Sequence, residues 1–277
     1  MNLHAISTGT VMIRASQPNG TRGRGYIKLI TLLRDSRWMP PLPINVWVIE
    51  HPEGIIVVDT GDNARAGKPG YFPWWHPFYR FGFKESIRPE DEIGPQLEKI
   101  GIAPNSVRWV VLTHTHTDHA GGLHHFPKAE IVLGRKEYDT TGGISGVING
   151  FSRKHYPEWF NPHLIEFEPK PFSVFPESYT LTKAADVVLV PTPGHTDGHL
   201  SVILREGDKY IFFAGDTSYS EAHLLRRTID GVTLNVKASR QTLDRINQFV
   251  RENPTVYLPT HDPDSAARLE ERRVVTP

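Results

Sequence analysis

Leu112-Thr113-His114-Thr115-His116-Thr117-Asp118-His119-Ala120-Gly121-Gly122 is the stretch around which the rest of this chain arranges itself. Three histidines and a carboxylate fall within six positions. Imidazole nitrogen and carboxylate oxygen suit zinc, iron, manganese or cobalt. The preceding Arg108-Trp109-Val110-Val111-Leu112 reads as a buried strand. In extended chain, side chains alternate, so His114 and His116 project to the same side and can share one metal. Asp118 and His119 follow a turn and can face a second site a few ångströms away. Ala120, Gly121 and Gly122 are small enough to let backbones approach closely. An isolated histidine is usually a surface or satisfied core residue, and that reading suits most of the 14 histidines here. It does not suit four ligand-type residues at this spacing.

The chain has 277 residues, enough for a large core in one domain. Lys+Arg and Asp+Glu are 31 each, without the basic excess usual in nucleic-acid proteins. Cysteine is absent, which excludes disulfides, thiolate metal sites, thiol catalysis and iron–sulfur clusters. No charged start followed by an apolar core is visible at Met1–Ala5, and no apolar run approaches membrane-spanning length. A soluble, cytoplasmic protein without membrane or nucleic-acid partners is expected.

Working outward, Val11–Ile13 reads as a strand and residues 19–25 as a glycine- and arginine-rich loop. Its arginines are more simply solvated than phosphate-binding. Ile44–Ile49 and Gly54–Asp59 read as a hairpin turning at His51-Pro52-Glu53-Gly54. Asp59, at the end of a buried strand, needs a partner. A metal-bound imidazole needs an acceptor for its other N–H, and His116 is the partner expected for Asp59. Residues 71–83 contain eight aromatics among thirteen positions. Two prolines and a glycine there argue for a loop rather than a regular helix or central strand. It reads as an aromatic insertion, around residues 65–85, for which three uses compete: packing over the core, a subunit interface, or a wall for an apolar substrate, with interface plus pocket rim favoured.

Glu92–Ile100 has helical spacing with Gly101 as its stop. Ala129–Leu133 reads as a strand and Arg135–Thr140 as a short helix. Residues 142–180 read as loops and short helices. Asp186–Val190 reads as a strand leading to His195. Leu200–Leu204 and Lys209–Phe213 form a hairpin around Gly207-Asp208. Residues 239–252 form an amphipathic helix, Val256–Leu258 a strand, and Ser265–Arg272 a short polar helix. Asp59, His114, His195, Asp216 and His261 each follow an apolar strand run. Strand ends that deliver polar side chains to one rim build an active site there. One domain, residues 1–277, with two sheets and flanking helices is the expected architecture.

His114-Thr115-His116-Thr117-Asp118-His119, Pro193-Gly194-His195-Thr196, Gly215-Asp216, His261 and the strand end Val58-Asp59-Thr60-Gly61 together resemble the metallo-β-lactamase superfamily. The resemblance spans roughly residues 44–262. It implies an α/β fold, the αββα sandwich of two mixed sheets flanked by helices. It also implies two divalent metal ions, with zinc expected and cobalt, manganese or iron as alternatives. His114, His116 and His195 would hold the first, Asp118, His119 and His261 the second, and Asp216 would bridge them. Branches with a cysteine ligand, without a bridging aspartate, or with glutamate at the second histidine fit poorly. So do nuclease branches with extra domains, and glutathione thioesterases with a longer C-terminal helical region.

Tyr219, three residues after Asp216, is similar to the tyrosine of the N-acyl homoserine lactone lactonases, the quorum-quenching branch. The resemblance implies a metal-dependent hydrolase in which a hydroxide bridging two metals attacks the lactone carbonyl. Tyr219 would donate to the developing oxyanion, and Asp118 would carry a proton to the leaving ring oxygen. Relatives with such insertions are often dimers, so a homodimer acting on a small lactone is expected. The same metal pair also serves hydrolases of other lactones, thioesters or phosphotriesters, and a metal-binding sensor or scaffold without catalysis is the rival of another class, disfavoured because nothing in the ligand set looks degraded.

Overall fold

Short runs rich in valine and isoleucine, bounded by turn residues, supply the strands of two facing sheets. The computed structural model describes residues 1–20, 26–151 and 153–277. The first sheet holds β1 (Asn2–Ile13), β2 (Leu42–Glu50), β3 (Ile55–Val58), β4 (Phe83–Ser86), β5 (Val107–Val111), β6 (Glu130–Gly134) and β7 (His163–Ile165), in the order β4-β1-β2-β3-β5-β6-β7. The β1–β2–β3 meander is antiparallel, whereas β3, β5, β6 and β7 run parallel. The second sheet holds β8 (Tyr179–Thr180), β9 (Val187–Pro191), β10 (Leu200–Glu206), β11 (Lys209–Gly215) and β12 (Thr255–Pro259), in the order β12-β11-β10-β9-β8.

The period of two along each strand decides the layering. Trp47, Ile49, Ile56, Val58 and Val111 face Leu189, Val202, Phe213 and Leu258 across the sheet interface. The alternate residues Val46, Val48, Val57 and Val110 face outward onto Ile93 and Leu97 of α3 (Ile93–Lys99). On the far side, Val190, Ile203 and Phe212 pack under Leu243, Ile246, Phe249 and Val250 of α8 (Val236–Glu252). Strands covered on both faces read as continuous apolar runs, which is how most of them appear in the sequence. Each fully buried aliphatic side chain contributes roughly 1.5–3 kcal/mol. The result is two mixed sheets between helical layers, an αββα sandwich. No helix among the described residues is long and apolar enough to cross a membrane.

Several elements differ from the sequence expectation. β1 is far longer than Val11–Ile13, because it pairs with β2 from Asn2 onward despite the polar residues along it, with a register shift between Ser7 and Thr10. Residues 77–81 do form a short helix, α2 (Pro77–Phe81), since Pro77 occupies the first turn, where no N–H is needed. Phe83 then opens β4, which pairs with β1. Residues 163–165 and 179–180 are short strands within the stretch expected to be loops and short helices. Helices α1 (Tyr26–Arg34) and α7 (Glu221–Arg226) are additional. The loop expected at residues 19–25, with its arginines at positions 22 and 24, lies largely outside the described residues.

Candidate metal centre

The strand ends open onto one edge between the sheets. β3 runs into Asp59, β5 into His114 and His116, β9 into His195, β11 into Asp216, and β12 into His261. Asp118 and His119 lie on the single turn α4 (Thr117–Ala120), which begins immediately after His116. This turn packs against the β3 end through its glycines. A Cβ at Gly121 would sit 2.2 Å from Asp62 Oδ1, and one at Gly122 would sit 2.3 Å from the Thr60 carbonyl. Two adjacent residues without side chains are therefore required, as expected from the sequence.

His116 Nδ1 lies 3.0 Å from His114 Nε2 and 3.0 Å from His195 Nε2. Asp118 Oδ2 lies 3.3 Å from His261 Nε2 and 3.8 Å from His119 Nε2. Asp216 sits between the two groups. Its Oδ1 is 3.4 Å from His119 Nε2, and its Oδ2 is 3.5 Å from both His195 Nε2 and His261 Nε2. The donor atoms form three overlapping sets able to hold a metal: His114 with His116 and His195, His114 with His119 and Asp216, and Asp118 with His119 and His261. All seven side chains expected from the sequence are thus brought together.

The electrostatics divide the cluster. Burial, reinforced by the neighbouring imidazoles, pushes His114 well below its usual range and His116 down to about 4. Neutral imidazole is the metal-binding form. Burial works against charge on His119 and His261 too, but the Asp216 and Asp118 carboxylates outweigh it. His119 is driven well up, and His261 to about 10. Burial likewise opposes ionisation of Asp118, which His119 and His261 nevertheless hold down at about 2. These carboxylates demand positive charge in a buried place. His119 Nε2 and Asp216 Oδ1 are buried without a hydrogen-bond partner and face each other. Orphaned donor-type atoms pointing inward, with neutral imidazoles beside anionic carboxylates, fit divalent cations.

A cavity of about 510 Å³ opens onto this cluster. His116, Asp118, His195, Asp216 and His261 form its polar floor, and Tyr219 stands beside them. The walls are mainly apolar, with Val11 and Ile13 of β1, Leu29 of α1, Phe78, Tyr79 and Phe83 of the aromatic segment, Ile148, Val232 and Leu234, and also carry Lys28, His76, Glu85, Asn149 and Thr233. The aromatic segment thus forms part of the pocket wall, while Trp74 is 80% exposed and Trp75 and Phe81 are also exposed. The Tyr219 hydroxyl accepts from Gln17 Nε2 at 2.7 Å, and its ring is offset from that of His261, with centroids 5.9 Å apart and planes 28° from parallel. Burial first, and the Asp230 and Asp216 charges next, keep the phenol protonated. It therefore retains a proton to donate.

The model of the metallo-β-lactamase superfamily matches residues 39–261. The chain belongs to that superfamily. It is 29% identical over 239 residues to a Mycobacterium tuberculosis protein described as a probable metallo-hydrolase, covering 79% of this chain and 71% of that one. It is 25% identical over 263 residues to the N-acyl homoserine lactonase AiiA of Bacillus thuringiensis subsp. kurstaki, covering 94% and 92%. A solved structure of B. thuringiensis AiiA with N-decanoyl-L-homoserine bound at its active site superposes with a TM-score of 0.74 at 21% identity, covering 98% of this chain and 96% of that one. The structure of AidC, a dizinc quorum-quenching lactonase, superposes at 0.61 and 15% identity, covering 94% and 87%. The αββα architecture is that of AiiA, and the chain is a metallo-β-lactamase superfamily hydrolase with residues able to bind divalent metal.

One expectation for this superfamily member is corrected. Asp59 does not contact His116. Its Oδ2 accepts from His119 Nδ1 at 2.9 Å, while His116 Nε2 donates to the Asn149 carbonyl at 3.0 Å. Asp59 also accepts the Thr113 N–H and hydroxyl, and adopts a left-handed φ of 63° that those bonds hold in place.

Three further positioning residues are not evident in the sequence. Glu137 accepts the N–H and hydroxyl of Thr115 on one oxygen and the Thr196 hydroxyl on the other. It thereby grips the chain beside His114, His116 and His195 together. Asp230 Oδ2 faces His195 Nδ1 at 3.9 Å, an ion-pair rather than a hydrogen-bond separation. His199 Nε2 accepts the Asp216 N–H at 3.1 Å. Glu137 sits in the helix Arg135–Thr140, where one is expected from the sequence, but nothing local marks it as turned inward.

Proposed function

We propose that this protein opens the lactone ring of N-acyl homoserine lactones as a dinuclear metal hydrolase. The observation that carries the reading is the position of Asp216 between two histidine groups, with Tyr219 lining the same apolar cavity three residues later. His114, His116 and His195 would hold one cation, Asp118, His119 and His261 the other, with Asp216 shared. Two such cations, zinc by donor type with cobalt, manganese or iron as alternatives, would lower the pKa of water and polarise a carbonyl.

The chain's own groups supply the rest. The apolar walls bind an acyl arm and exclude water. The Tyr219 O–H, its oxygen already occupied by Gln17, donates to the carbonyl oxygen as negative charge grows there. Asp118 takes up a proton at its carboxylate and returns it to the ring oxygen as the C–O bond breaks. Asp59 fixes the His119 ring through Nδ1. The exposed Trp74, Trp75 and Phe81 offer an apolar surface that we assign to a homodimer contact. Sedimentation as a monomer at micromolar concentration would remove that assignment.

The test is metal analysis combined with a pH-stat assay on lactones of graded acyl length, since ring opening releases an acid. About two metal equivalents at the buried cluster and turnover that rises with acyl length are expected. Faster turnover of thioesters or phosphotriesters would move the reading to another hydrolase of the superfamily. No hydrolysis across the panel by metal-loaded protein would defeat it. His114→Ala and Asp216→Ala should each lose metal, and two equivalents retained would overturn the ligand assignment.

A further inference from the structure

Away from the buried cluster, Glu92, His124 and His125 converge at the protein surface. We propose that these three side chains hold an additional divalent cation of the zinc, nickel or copper type, bound independently of the buried cluster.

Glu92 Oε2 lies 3.1 Å from His124 Nε2 and 2.7 Å from His125 Nε2. One donor atom from each residue falls within 4.8 Å of the others. Donors about 2.0–2.2 Å from a tetrahedral zinc stand roughly 3.3 Å apart, so the closer pair must open by about 0.6 Å to admit the ion. Two imidazoles and a carboxylate are a donor set that suits these metals.

The proton inventory favours a cation. His124 Nδ1 lies 3.3 Å from the Gly121 carbonyl, which can only accept, so the ring proton belongs on Nδ1. His124 Nε2 faces the Glu92 carboxylate at 3.1 Å. Burial opposes ionisation of Glu92, but the Ala64 N–H and His125 outweigh it and hold the group below its ordinary range, so it is anionic. One carboxylate oxygen facing two imidazole nitrogens is a place where positive charge is stabilised. The His125 ring lies tilted against that of His124 with centroids 4.0 Å apart, and burial, the largest cause, pushes His125 below its ordinary range. A cation supplies that charge without charging either ring.

The donors are also anchored from behind. Glu92 Oε1 accepts the Ala64 N–H at 2.9 Å, and Gly121 holds His124. Such outer contacts orient metal ligands. The His124 side chain is 46% exposed, which leaves room for water to complete the coordination. A cation here would tie the turn leaving α4 to the start of α3 and to the loop after β3.

The test is zinc content after equilibrium dialysis at micromolar free zinc, in wild type, Glu92→Gln and His124→Ala. One equivalent fewer in each variant than in wild type is expected, with far-ultraviolet circular dichroism unchanged and lactone turnover within twofold. Equal zinc content in wild type and both variants overturns the site. Because the readout is a difference, it holds whatever number the buried cluster retains. Failure of the catalytic reading would show separately, as absent turnover with that difference intact.

Discussion

His119 Nδ1 donates to Asp59 Oδ2 at 2.9 Å, joining the turn that carries Asp118 to the end of β3, sixty residues earlier. Both side chains are almost wholly buried. The bond fixes which face of the His119 ring meets the cluster and keeps Nε2 unprotonated when a cation is bound. Asp59→Asn preserves shape but removes the anionic acceptor. Metal affinity, read by chelator competition, should fall about 10–100-fold, as for loss of a carboxylate behind a ligand imidazole. Unchanged affinity would mean that packing alone orients His119.

Glu137 offers a second lever on the same cluster from the opposite side. Glu137→Leu would leave the Thr115 N–H, the Thr115 hydroxyl and the Thr196 hydroxyl without their acceptor in a buried place. A loss of about 3 kcal/mol is expected, since each buried unsatisfied group costs about 1–3 kcal/mol and the hydroxyls can rotate to other partners. The urea midpoint should drop without change of slope. Metal content should fall as well, because the backbone between His114 and His116 loses its anchor. A stable, fully metallated variant would show that the strand alone sets the geometry.

What could be read from the chain follows from how local each signal is. His114 through His119 announce themselves because their spacing is fixed by one strand end and one helical turn. Asp216 and His261 were legible because each closes an apolar run that could only be a buried strand. The strands β2, β3, β5, β6 and β9 to β12 were legible for the same reason. β1 was mostly hidden, since His4, Ser7, Thr8 and Thr10 break up its apolar character while it still pairs with β2 along its length. The partner of Asp59 was missed because the choice between His116 and His119 depends on how tightly α4 turns, which the glycines decide in three dimensions. Glu137, Asp230 and Gln17 act across 22, 35 and 202 residues, distances at which a sequence pattern carries no register.

The Tyr219 hydroxyl is tied to no residue needed for metal binding, so its removal should separate chemistry from assembly. Tyr219→Phe is expected to keep metal content and lower kcat about 10–1000-fold, the scale of losing one oxyanion donor. Gln17→Leu removes only the group that orients the hydroxyl. It should cost about 2–10-fold in kcat, the worth of one neutral hydrogen bond. Steady-state kinetics on one lactone in both variants decide this. Full turnover in Tyr219→Phe would take Tyr219 out of the reaction, and a loss in Gln17→Leu exceeding that in Tyr219→Phe would give Gln17 a role of its own.

The aromatic segment is pinned by a contact that depends on pH. The His155 ring stacks on Tyr71 with centroids 3.8 Å apart and planes 12° from parallel, and its Nε2 donates to the Tyr71 carbonyl at 3.1 Å. Burial, then the charge of Lys154, pushes His155 down to about 4, well below the ordinary histidine range of about 6.5. The unfolded chain therefore takes up the proton first as pH falls. The stabilisation is complete above about pH 6.5 and is lost progressively toward pH 4. Because the ring is only partly buried, solvent screening reduces the full linkage to about 1 kcal/mol. His155→Phe keeps the stack and removes the titration. Tm measured from pH 8 to pH 4 in both proteins should therefore diverge in slope between pH 6.5 and pH 4, with wild type losing about 2–4 °C more. Parallel curves would mean that His155 keeps the same proton affinity folded and unfolded, and that the stack on Tyr71 is too open to exclude water.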